Sequence, residues 1–122
     1  MDKKILIIDD EPNIRSLMVQ GLSLEGFEVF SAADGNTGLE ILKKNKPSLI
    51  FLDLNLPQIS GLEILKQIKL ISPETVVIML SGGQDEDVAK EAIELGAYDY
   101  VTKPISLRKL IDEFVDRIFG DK

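Results

Sequence analysis

Four points along this chain carry side chains that do chemistry. Asp9, Asp10 and Glu11 follow directly on the aliphatic run 5–8, and Asp53 ends the run "SLIFLD". Ser81 precedes Gly82 and Gly83, and Lys103 precedes Pro104. Three acids at the end of a buried segment repel one another, and burial raises their pKa values or calls for a cation. Carboxylate oxygens, with no nitrogen or sulfur donor beside them, suit Mg²⁺, which binds carboxylates and keeps several waters. Mn²⁺ is the chemical runner-up. The chain has no Cys and no His. That excludes a thiol nucleophile, a Cys- or His-ligated metal, a His general base and a phosphohistidine on this chain.

The elements that must position these residues follow from hydrophobic period. "KILII" is a short continuous apolar run and reads as a buried strand. In "PNIRSLMVQGLSLEG", Ile14, Leu17, Met18, Gly21 and Leu22 fall at helical spacing, with Pro12 in the first turn and Gly26 at the exit. "FEVFSA" alternates as a half-buried strand, and "GNTGLEILKKNKP" is a helix ending before Pro47. "SLIFLDL" is a central strand. "SGLEILKQIKLISP" is a helix with Leu62, Leu65 and Ile68 on one stripe, beside Ile64 and Ile71. "TVVIML" is a strand, "QDEDVAKEAIELG" a helix with an acidic first turn, and "AYDYVT" a strand. In "SLRKLIDEFVDRIF" the apolar positions 107, 110, 111, 114, 115, 118 and 119 trace one helical face.

Five strand–helix units with short turns predict an α/β fold: a doubly wound, five-stranded parallel sheet with five helices on its two faces. The expected strand order is the flavodoxin-like 2-1-3-4-5. Residues 1–122 read as a single domain, with no linker and no repeat. In such a sheet ligands bind beyond the carboxyl ends of the strands. The four chemical points all fall at strand ends, and strands one and three are neighbours about 4.8 Å apart. Asp10 and Asp53 therefore converge on one small volume. Each residue taken alone has a plainer role. An Asp caps a helix or makes an Asx-turn, a Ser before two glycines makes a turn, and a lysine is solvated. It is their joint placement on one rim that points to a site.

The ordered set Asp9-Asp10, Asp53 with Pro57 and Gly61, Ser81 with Gly82, Tyr100 and Lys103-Pro104 resembles the receiver domain of two-component response regulators along the whole chain. The resemblance implies that Asp53 accepts a phosphoryl group from a phosphohistidine on a partner kinase. It implies Mg²⁺ ligands at Asp10, Asp53 and the backbone carbonyl of Asn55, with Asp9 acting through a water. Lys103 is expected to pair with Asp53 and then with a phosphoryl oxygen. Ser81 is expected to hydrogen-bond the new phosphoryl group, Tyr100 to change rotamer with it, and the Lys103–Pro104 bond to be cis. The output implied is a shift of the surface made by helix four, strand five and helix five. Such a domain is a switch that promotes its own phosphorylation and dephosphorylation, not an enzyme on an external substrate. Leu56, Ser81 and Ile105 depart from the common Met, Thr and Phe, and only Ile105 bears on how the last helix packs.

Partners implied are a histidine kinase or phosphotransfer protein and a downstream target or output domain. A phosphorylation-dependent homodimer is a further expectation, with Lys90, Glu94, Asp99, Arg108 and Lys109 available to pair across the helix-four to helix-five face. A net charge of −7 argues against nucleic-acid binding by this domain. No stretch reaches the length of a membrane span, and no signal peptide precedes the first strand, so a cytoplasmic location is expected. Two other aspartate or phosphate folds fail on "DDEP": a flavin carrier needs a phosphate-cradling loop there, and a dehalogenase-type phosphatase needs its second Asp two residues on. The alternative from another class is a pseudo-receiver, an interaction module of the same fold that is never phosphorylated.

Overall fold

The computed structural model describes residues 3–83 and 85–120. Gln84, with which the predicted fourth helix begins, lies outside the described residues, as do both ends of the predicted domain span. The strands are β1 (Lys4–Ile8), β2 (Glu28–Ala32), β3 (Leu49–Asp53), β4 (Val76–Ser81) and β5 (Asp99–Thr102). All pair in parallel, in the order β2-β1-β3-β4-β5. The helices are α1 (Pro12–Leu24), α2 (Gly35–Asn45), α3 (Gly61–Ile71) and α4 (Glu86–Glu94). The last helix, α5 (107–119), runs as α-helix over Leu107–Leu110, as π-helix over Ile111–Val115 and as α-helix again over Asp116–Phe119.

The sheet is covered on both faces, so its central strands are continuous apolar runs between their polar ends. Ile5, Ile7, Phe51, Ile78 and Leu80 point to one side, where they meet Met18 and Leu22 of α1 and Leu110, Ile111, Phe114 and Val115 of α5. Leu6, Ile8, Ile50, Leu52, Val77 and Met79 point to the other, against Leu42 of α2, Ile64, Leu65 and Ile68 of α3, and Ala92 of α4. Each such Leu or Ile contributes about 1.5–3 kcal/mol on burial. Helix starts are set by side chains. Asp34 accepts from the Thr37 amide, Ser60 from that of Glu63, Asp85 from those of Asp87 and Val88, and Ser106 from that of Lys109.

The structure departs from the sequence pattern in four places. β2 does not present one wet face, because Val29 packs into the α1–α5 core and Phe30 into the α2–α4 core. Helices on both faces cover even this edge strand. Leu17 is 55% exposed, although its spacing put it on the inner face of α1. It borders a cavity of about 370 Å³ between α1 and the segment after β5, lined also by Ile14, Leu80, Pro104 and Ile105. Ile71, expected on the buried stripe of α3, is 38% exposed in the last turn of that helix. The π-helical turn in α5 leaves no mark in the apolar pattern, and all seven of its predicted positions still face inward or sit half-buried.

Candidate functional site

The carboxyl ends of β1, β3, β4 and β5 meet at one rim. β1 pairs with β3 through Ile8 and Leu52, so the residues that follow, Asp9 and Asp53, emerge side by side. Asp9 is 1% and Asp53 4% exposed, whereas Asp10 points to solvent. One carboxylate oxygen from each of the three lies within 4.8 Å of the others. The loop after β1 is tied down by its own backbone. The Asp9 amide donates to the Ala32 carbonyl at 3.1 Å, and the Arg15 guanidinium donates to the Asp9 carbonyl at 2.7 Å. Asp9 Oδ1 accepts from the Glu11 amide at 2.9 Å.

Asp53 Oδ1 accepts from the Asn55 amide at 3.2 Å. The loop it begins folds back so tightly that a Cβ on Gly61 would lie 2.5 Å from the Asp53 carbonyl oxygen and 2.7 Å from Leu54 Cα. Only glycine fits there, since the obstruction is backbone that cannot rotate away. Burial, and then the negative charge of Asp9, push the Asp53 carboxyl up to about 6 against the opposing pull of the Asn55 amide and Lys103.

Lys103 reaches in from the loop after β5, across a cis Lys103–Pro104 bond, and its amide is anchored on the Ser81 carbonyl at 2.6 Å. Its ammonium lies 3.0 Å from Asp9 Oδ2, 3.1 Å from Glu11 Oε1 and 3.6 Å from Asp53 Oδ2. Lys103 was expected to pair with Asp53. The structure brings the two together, but the shorter bonds go to Asp9 and Glu11. Burial pulls its pKa down, and the bonds to Asp9 and Glu11 with the charge of Asp53 outweigh this, so the net direction is upward. Glu11 and Arg15 are the contacts that sequence reasoning missed. Glu11 was visible as the third acid of the run, whereas Arg15 carried no signal, being one more polar residue on a helix.

Ser81 is buried, and its hydroxyl donates to the Gly83 carbonyl at 3.1 Å while accepting from the Gly83 amide at 3.2 Å. Tyr100 turns its ring toward α4, against the α2–α4 core, and its hydroxyl is buried with no hydrogen-bond partner among the described residues. Of the charges expected to pair across the α4–α5 face, Arg108 pairs with Glu25 and Asp112, and Lys109 with Glu113, all within the chain. Asp99 accepts from the Tyr100 amide.

With this geometry in hand, the family model of the response regulator receiver domain matches residues 5–115. The chain belongs to that family. Relatives agree along nearly the whole sequence. Sporulation initiation phosphotransferase F of Bacillus subtilis is 38% identical over 92% of this chain and 90% of its own length. The alkaline phosphatase synthesis transcriptional regulatory protein PhoP of the same organism is 39% identical over 90% of this chain, which spans only 46% of PhoP. Among solved structures, a CheY-like receiver domain protein from Methanospirillum hungatei superposes with a TM-score of 0.92 at 29% identity, covering 98% of this chain and 95% of its own. A response regulator from Burkholderia pseudomallei, solved with a phosphorylated aspartic acid, a calcium ion and citrate, gives 0.85 at 27% identity, covering 90% and 65%. The protein is thus a receiver domain of two-component response regulators, a signalling module whose described helices are none of them long and apolar enough to cross a membrane.

Proposed function

We propose that this receiver is a working phosphoacceptor switch with Asp53 as its nucleophile. The observation that carries this is the position of Asp53: buried, beside two further carboxylates, and within 3.6 Å of a lysine ammonium. The phosphorylated aspartate of the Burkholderia neighbour shows that the fold supports such an adduct in that protein. A carboxylate oxygen of Asp53 forms the new bond to phosphorus as the bond to the donor's leaving atom breaks, and the leaving group keeps that electron pair. From a phosphohistidine on a partner kinase the leaving atom is an imidazole nitrogen. Lys103 neutralises negative charge that gathers on the phosphoryl oxygens.

The donor set fits a hard divalent cation: carboxylates only, no nitrogen or sulfur, two of the three acids buried, and a net excess of negative charge over Lys103. Asp10, Asp53 and the Asn55 carbonyl would hold Mg²⁺, with Asp9 through a water and Mn²⁺ as the chemical alternative. Bound there, the cation supplies positive charge for the phosphoryl oxygens. Ser81 leaves Gly83 to donate to the phosphoryl group, which draws the loop after β4 inward. The Tyr100 hydroxyl has no hydrogen-bond partner among the described residues, so no hydrogen bond to them need break for this ring to follow that shift. The surface of α4, β5 and α5 then carries the signal to a downstream protein or output domain in the cytoplasm.

Intact mass spectrometry after incubation with acetyl phosphate tests the proposal. Wild type gains one phosphoryl group only when Mg²⁺ is present, and Asp53→Asn gains none. A magnesium-independent adduct, or labelling of Asp53→Asn, refutes the assignment.

A further inference from the structure

Lys103 faces three acids but lies at hydrogen-bond distance from only two of them. Its three N–H groups face Asp9, Glu11 and Asp53, and the two bonds of ordinary length go to Asp9 at 3.0 Å and Glu11 at 3.1 Å. The Asp53 oxygen, at 3.6 Å, is beyond a good hydrogen bond. Glu11 is the unusual partner. It stands just before α1, yet its carboxylate caps no amide of that helix, whose first position is taken by Pro12. It reaches Lys103 instead, 92 residues away in sequence. Asp9 is fixed, because its amide, its carbonyl and one carboxylate oxygen are all bonded to the surrounding chain. The Glu11 side chain is 58% exposed and held by Lys103 alone among the described cations. Asp9 cannot move off the ammonium and Glu11 can.

We propose that Glu11 is a positioning residue that draws Lys103 away from Asp53 in the resting protein, so that it sets the threshold for phosphorylation. The inference rests on Asp53 being the phosphoacceptor. A phosphoryl group brings close to two negative charges onto Asp53 and needs the ammonium for itself. Since Asp9 is fixed, the bond that yields is the one to Glu11. The resting state therefore gains an interaction that the phosphorylated state gives up. Removing it leaves the nucleophile intact and lets Lys103 settle toward Asp53 beforehand.

Two variants separate the bond from the mere charge. Glu11→Gln removes the charge and weakens the bond. Glu11→Asp keeps the charge but is one methylene too short for the present contact. The measurement is the initial rate of acetyl phosphate labelling against donor concentration, with Mg²⁺, for wild type and both variants. In each turnover an Asp53 oxygen bonds to phosphorus and acetate leaves with its oxygen and the electron pair. Both variants raise the maximal rate about two- to fivefold, the size expected for an ion pair at a partly open site. Glu11→Asp leaves the KM for the anionic donor unchanged. In metal-free buffer the NMR signal of the Lys103 Cε methylene moves in both variants, which reports the loss of the contact without any turnover.

A Glu11→Asp protein with the wild-type maximal rate overturns the proposal, because charge alone then explains Glu11. So does a Glu11→Gln effect confined to KM, or a Lys103 signal that stays in place. Wild-type protein that takes no phosphoryl group fails at an earlier step: it removes the assignment of Asp53, and the role of Glu11 with it.

Discussion

The two ends of the sheet solve opposite problems. At the amino end of β4, Thr75 is buried and its hydroxyl meets neutral partners. Its hydroxyl meets the Ser72 hydroxyl at 2.6 Å and the Pro47 carbonyl at 3.3 Å, and the Lys69 ammonium crosses to the carbonyls of Thr75 and Pro73. Burial holds the Lys69 pKa below its ordinary value. At the carboxyl end of the same sheet, Asp9 and Asp53 are buried beside Asp10 with one ammonium among them and Glu11. One end closes its hydrogen bonds within the chain and adds stability. The other keeps more acids than the one ammonium among them balances within the described residues, an excess that a divalent cation would offset.

Substitutions at the two ends should therefore differ in kind as well as size. Gly61→Ala at the charged end carries the largest expected cost, about 3 kcal/mol, because its Cβ meets the backbone of Asp53 and Leu54. Urea unfolding reads the loss, and acetyl phosphate labelling should fall with it, since the loop that carries Asp53 must shift. Unchanged labelling would mean that the loop's shape does not govern the nucleophile. Thr75→Val at the neutral end should cost about 2 kcal/mol by leaving buried partners unpaired, with labelling of Asp53 unaffected. A labelling defect in this variant would show the two ends to be coupled.

Asp53→Asn should do the reverse, raising metal-free stability by about 1 kcal/mol, or roughly 3–4 °C in Tm, while abolishing labelling. The figure is modest because the rim is open to water on one side, which screens its charges. Its pH dependence has a definite sign. The folded protein holds the Asp53 proton more tightly than the unfolded chain, whose ordinary value is 3.8. The stability this contributes is full below that value and is lost as pH rises through about 6. The gap between Asp53→Asn and wild type in metal-free buffer should therefore open between pH 4 and pH 6.5. A gap that is already full at pH 4 would mean that burial does not raise the Asp53 pKa. Mg²⁺ should narrow the gap at pH 7 by stabilising wild type through mass action.

The one-dimensional pattern was enough for the five strand–helix units and for the rim that the chemistry occupies. Ile5 to Ile8, Ile50 to Leu52 and Val77 to Leu80 are continuous apolar runs because both faces of their sheet are covered. Asp53 and Ser81 were legible since each stands where such a run ends, and Lys103 since it follows the fifth strand. The exposure of Leu17 was not legible, because helical spacing gives a face but not what lies opposite it. Nor was the π-helical turn at Ile111–Val115, which keeps the same residues inward.

Period, strand ends and the absence of His and Cys are properties of neighbours in sequence, and from them the sequence by itself determined the fold class, the rim and the kind of donors on it. Tertiary structure alone decided how the charges are shared: that Asp9 is buried and Asp10 exposed, that Arg15 fixes the carbonyl of Asp9, and that Lys103 bonds Asp9 and Glu11 more closely than Asp53. The last of these sets Lys103 against Asp9 and Glu11, groups more than ninety residues away in the chain. The Coulomb energy of each pair depends on the distance between its charges and on local burial, and no sequence period encodes either.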